Sequence, residues 1–127
     1  MDLTPEIKTA ALNLIKAMKT DQTIRIYLSA REMAENDPEA SALENQLIEL
    51  YERLIERQQQ GEKLSEEEIE SFSSLRYRVR VHPLIVQREN ALAQLKPYLA
   101  QIADEISYTL GIDYTLLANT PCDGECS

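Results

Sequence analysis

One stretch of the chain, Pro83 to Gly111, limits what the rest can become. Ile85, Leu92, Leu95, Leu99, Ile102 and Ile106 follow one another at steps of 7, 3, 4, 3 and 4. That spacing puts all six side chains on one face of a helix. The face is too long and too apolar to stay in water. The upstream chain must help to cover it, either within one molecule or from a second copy. Pro97 is the one strong breaker inside the stretch. It removes a hydrogen bond and is expected to kink the helix.

The upstream chain reads as further helices with caps at regular intervals. Thr4 caps a first helix with Pro5 at its first position, and Ile7, Ala11, Leu14 and Met18 form its stripe. Thr20-Asp21 starts a second helix carrying Ile24, Tyr27, Leu28, Ala30 and Ala34, which Asn36-Asp37-Pro38 ends. The third helix, from Pro38 to the Gln-rich run before Gly61, bears two adjacent stripes. Leu43, Leu47, Leu50 and Leu54 make one; Ile48, Tyr51 and Ile55 make the other. Such breadth predicts two neighbours. Ser65 and Glu68 form a capping box for a fourth helix with Ile69, Phe72, Leu75 and Val79 inward.

Leu75 to Val81 alternates like a strand, Arg76, Arg78 and Arg80 with Tyr77, Val79 and Val81. With no second strand candidate to pair with, a lone strand would leave its backbone unsatisfied, so the segment reads as helix. The expectation is therefore an all-α chain of about five helices, arranged as hairpins with a long C-terminal helix in a self-associating bundle. Residues 1–111 form the domain, and 112–127 form a tail holding Cys122 and Cys126 in a C-x3-C pattern.

Composition removes several function classes. The net charge of −9 over 127 residues opposes coating of nucleic acid by bulk electrostatics, so any such contact is expected only through a partner. Met1 to Lys8 has no apolar core of a secretory signal, and no run nears the ~20 apolar residues that span a bilayer. A cytoplasmic protein without direct membrane insertion is the expectation. His82 is the sole histidine, precedes Pro83, and reads as a turn or cap residue. No Glu-x-x-His or His-Glu-x-x-His spacing occurs, so a metal-bundle enzyme is disfavoured.

Two stretches carry a family resemblance. Arg57 to Leu75 reads RQQQGEKLSEEEIESFSSL: a Gln-rich helix end, a glycine, then Leu-Ser-Glu-Glu-Glu-Ile. His82 to Ile106 reads HPLIVQRENALAQLKPYLAQIADEI. With TDQTIRIYLSAREMAEND upstream, the chain from about Pro5 to Asp113 resembles the YlbF/YmcA family of small helical bacterial regulators. The resemblance implies a self-associating all-α fold without catalytic residues, acting in competence, sporulation or biofilm formation. It also implies other family members or a ribonuclease complex as partners. Some relatives sit in a three-protein complex that adjusts messenger-RNA processing by a membrane-anchored endoribonuclease and carries iron–sulfur clusters.

Two groups remain as candidate sites. Arg76, Arg78, Arg80 and Arg88 concentrate positive charge in an acidic chain. They read either as ion pairs to the abundant glutamates or as a contact for a partner or RNA. Cys122 and Cys126 read either as free thiols or as half of a zinc or iron–sulfur site shared with a second subunit or a partner. The leading function is a non-enzymatic regulatory adaptor; the alternative is a metal or iron–sulfur redox sensor using those thiols.

Overall fold

The computed structural model describes residues 2–120. Six helices occupy them: α1 Pro5–Lys19, α2 Gln22–Asn36, α3 Pro38–Gln59, α4 Glu66–Val81, α5 Pro83–Leu110 and α6 Tyr114–Asn119. No strand is present among the described residues. The strand-like alternation of Leu75 to Val81 lies wholly in α4. α5 continues through Pro97, and Gly111 closes it with φ +76°. The left-handed conformation suits glycine there because a β-carbon would crowd the backbone.

Each helix begins at a residue whose side chain accepts a hydrogen bond from an otherwise unpaired N–H of the first turn. Asp21 Oδ1 accepts from the N–H of Thr23 at 2.8 Å, and Asp37 Oδ2 from that of Ala40 at 2.8 Å. Ser65 and Glu68 satisfy each other's backbone N–H groups in a complete capping box. His82 takes the cap role itself, its Nδ1 accepting from the N–H of Leu84 at 3.3 Å. Its Nε2 faces Asp37 Oδ2 at 3.6 Å. One stretch departs from expectation. The predicted tail is helical over Tyr114–Asn119, capped by Asp113 Oδ1. Its signal, a single Asp ahead of Tyr-Thr-Leu-Leu, is local but short.

The helices form two antiparallel pairs that meet at a corner. α2 runs against α5, with Gln22 and Ile26 beside Ala91 and Gln94 at one end and Asp37 beside His82 at the other. α3 runs against α4, with Tyr51 on Phe72 at a ring separation of 6.1 Å and Arg57 paired to Glu62 and Glu68 near the turn. One residue, Asp37, joins α2 to α3, and one, His82, joins α4 to α5. Both adopt extended backbone and are followed by proline, which forces the chain to turn at once.

The core is thin. Ala30, Ala34, Ala40, Leu43, Leu54, Ile85, Ala91 and Leu95 are buried, and half of these are alanines. Alanines let helix backbones approach closely but bury little area. Several side chains expected to face inward are therefore exposed. Ile7 and Leu14 on α1, Ile48 and Tyr51 on α3, Ile69 on α4 and Leu99 on α5 are each 40–54% accessible. α1 has no buried residue and meets α2 only sparsely. The chain exposes 10309 Å², against about 6,900 Å² for a compact monomer of this mass. Even with the eight residues outside the described range counted as fully extended, at about 1,300 Å², a large excess remains.

Candidate interaction surface

The four candidate arginines do not form one cluster. In a helix, residues four apart lie about 40° from each other and residues two apart about 200°. Arg76 and Arg80 accordingly share one face of α4, and Arg78 projects from another. Arg78 borders a shallow groove between α3 and α4, with Gln46, Leu50, Ser74 and Leu75. In a helix the alternation of Arg76, Arg78 and Arg80 does not line one edge. All three side chains are exposed. None has a carboxylate within ion-pair distance among the described residues.

Arg88 behaves differently. Its Nη1 donates to Glu44 Oε1 at 2.8 Å and its Nη2 to Glu44 Oε2 at 2.7 Å, a fork-to-fork pair. Nη2 also donates to Glu89 Oε1 at 2.9 Å. The Arg88 side chain is only 17% accessible, and Glu44 29%. The Glu44 hydrogen bonds push the guanidinium pKa up, against the opposing effect of burial, so the group stays charged. Arg88 thus fastens α5 to α3 and has few donors left for an outside partner. The ion-pair reading applies to Arg88, and the exposed, unpaired state to Arg76, Arg78 and Arg80. No sequence pattern links Glu44 with Arg88, since they lie 44 residues apart.

Around Arg76 and Arg80 the surface is partly apolar. Tyr77 is 58% accessible and Val81 48%, and no residue of α4 is fully buried. α4 therefore presents guanidinium groups next to an aromatic ring, in a chain whose charge is otherwise negative. Other exposed apolar residues are concentrated on α1 and around the α5–α6 junction, including Leu110, Leu116 and Leu117. Sequence periodicity found the α1 stripe but gave no sign that it would remain uncovered.

Nothing in the described residues resembles a reaction centre. There are no buried polar or charged side chains, and no three His, Cys, Asp or Glu residues converge as metal ligands. Cys122 and Cys126 lie outside the described residues. No helix of the described residues is long and apolar enough to cross a membrane.

These features define an all-α chain of paired helices whose accessible chemistry lies on helix faces. The family model described as "Control of competence regulator ComK, YlbF/YmcA" matches residues 7–111, from the first turn of α1 to the cap of α5. The protein belongs to the YlbF/YmcA family, a family of regulators. No curated protein matches the chain, and no solved structure does.

Proposed function

We propose that the protein is a non-enzymatic regulatory adaptor of the bacterial cytoplasm that works by assembly. The single observation that carries this reading is uncovered surface: the chain exposes 10309 Å², and even after about 1,300 Å² is set aside for the eight residues outside the described range, that is roughly a third more than a compact monomer of its size exposes. A protein rarely leaves so much apolar helix face in water unless another surface covers it. Self-association covers part of it, and the Arg76–Arg80 face of α4 receives an acidic segment of a protein partner. The adaptor changes that partner's activity through differential binding. Control of a competence regulator, as the family description words it, is the kind of output such binding serves. Adjustment of RNA processing through a ribonuclease-containing complex is a finer form of the same reading.

The test reverses charge where the fold does not use it. In a host lacking the native copy, the wild-type chain restores regulation, measured as transcript levels of the controlled genes. The double variant Arg76→Glu, Arg80→Glu keeps its melting temperature, because exposed charges contribute only ~0–1 kcal/mol to folding. It should fail to restore regulation. Full restoration by the folded variant refutes the α4 face as the contact.

A further inference from the structure

α1 differs from every other helix in its charge. Lys8, Lys16 and Lys19 against Glu6 make it net positive, whereas α2 and α6 are neutral and α3, α4 and α5 are negative. All three lysines are exposed. None has a carboxylate within ion-pair distance among the described residues. The fold also holds α1 weakly. It has no buried residue, only Met18 is half-buried, and its packing on α2 is sparse. Thr20 and Asp21 alone join it to α2.

The residues of α1 divide into two faces. At about 100° per residue, Ile7, Ala10, Ala11, Leu14, Ile15 and Met18 share an arc of about 140° that contains no polar residue. Lys8 and Lys19 border this arc, about 20° and 40° beyond Ile15. Lys16, Thr9 and Asn13 occupy the far side, and Leu12 is the one large apolar residue off the arc. Ile7, Leu14 and Ile15 are 54%, 42% and 44% accessible, so the arc faces solvent. An uncovered apolar arc edged by lysines is the pattern of a helix that lies in a bilayer interface. The lysine stems run along the acyl boundary while the ammonium groups reach the headgroups. A protein partner fits the face less well. α1 has no aromatic residue and no arginine, the side chains that anchor protein interfaces, and lysine is depleted there.

We propose that α1 is an interfacial anchor: it lies flat on an anionic lipid bilayer, with Ile7, Leu14 and Ile15 in the acyl boundary and Lys8 and Lys19 at the headgroup phosphates. It does not span the bilayer. Its 15 residues reach about 22 Å at about 1.5 Å per residue, short of the ~30 Å hydrocarbon core. Repulsion between the acidic remainder of the chain and the lipid is screened beyond about 8 Å at physiological salt. The anchor goes beyond the adaptor reading and is independent of the Arg76–Arg80 contact.

Flotation of the full chain with lipid vesicles supplies the test. The wild type should float with phosphatidylcholine vesicles containing about a third phosphatidylglycerol, and not with phosphatidylcholine alone, and added salt should weaken the binding. Lys8→Glu with Lys19→Glu should weaken it at least tenfold. Ile7→Asn with Ile15→Asn should do the same at an unchanged melting temperature, since neither side chain is buried. Arg76→Glu with Arg80→Glu should leave binding within about twofold of wild type, because α4 is not the lipid contact. No flotation of the wild type on anionic vesicles overturns the proposal. So does undiminished flotation of either α1 variant, and so does loss in the α4 variant. A second measurement identifies what covers the face. Leu14→Cys, in a chain with Cys122→Ser and Cys126→Ser, carries an environment-sensitive fluorophore. Its emission should shift to the blue when anionic vesicles are added. A blue shift on concentrating the protein without lipid, and none on adding lipid, means that a second copy covers α1 and overturns the anchor. Failure of flotation leaves regulation through the Arg76–Arg80 face standing.

Discussion

Replacing Arg88 with methionine tests whether the Glu44 pair is a structural clasp. Methionine keeps much of the apolar stem and deletes the guanidinium. Two charge-assisted hydrogen bonds, at 2.8 and 2.7 Å, are lost between α5 and α3. Glu44 keeps 29% of its surface in water, so it can be rehydrated and the penalty falls short of that for a fully buried pair. A loss of about 2 kcal/mol follows, between the values for exposed and buried ion pairs. With an unfolding entropy of ~2.1 cal/mol/K per residue, that lowers the melting temperature by about 8 °C. The assay is thermal unfolding by circular dichroism at fixed protein concentration, because assembly makes the midpoint concentration-dependent. A double-mutant cycle with Glu44→Gln should give a coupling of at least about 1 kcal/mol. If Arg88→Met costs less than about 0.5 kcal/mol, the pair is an ordinary surface contact, and the reasoning fails.

Two further outcomes follow from the same structure. Ala34, fully buried near the corner between the helix pairs, should not accept leucine; Ala34→Leu is expected to lower the urea midpoint by an amount equal to about 2 kcal/mol, and a neutral result would mean that the corner is loosely packed. Beyond Gly111 itself and its two chain neighbours, Gly111→Ala meets no atom within 4 Å of the added carbon, so its cost is the backbone strain at φ +76° alone; a loss of about 1 kcal/mol is expected by thermal unfolding, and no loss would mean that α5 ends in another conformation.

Helix identity and helix limits came from local chemistry. The caps at Thr4, Asp21, Asp37, Ser65 and His82 act on N–H groups two or three residues away, so the sequence contains both partners of each bond. Proline after Asp37 and His82 makes the turns abrupt for the same local reason. The all-α class and the family could therefore be read without coordinates, and the lone histidine could be read as a cap. α6 escaped because six residues give too short a period to distinguish from a tail.

Tertiary structure decided which faces are covered and which charges are paired. A stripe records only that a face is apolar. It does not say whether a neighbour reaches it, and α1, striped as clearly as any helix, has none along most of its length. Arg76, Arg78, Arg80 and Arg88 are alike as letters in an acidic chain. Helical rotation separates Arg78 from Arg76 and Arg80, and the fold brings Glu44 of α3 to Arg88 of α5 from 44 residues away. Burial and pairing depend on positions that distant segments reach only after folding, so these two properties belong to the folded chain and not to any window of its sequence.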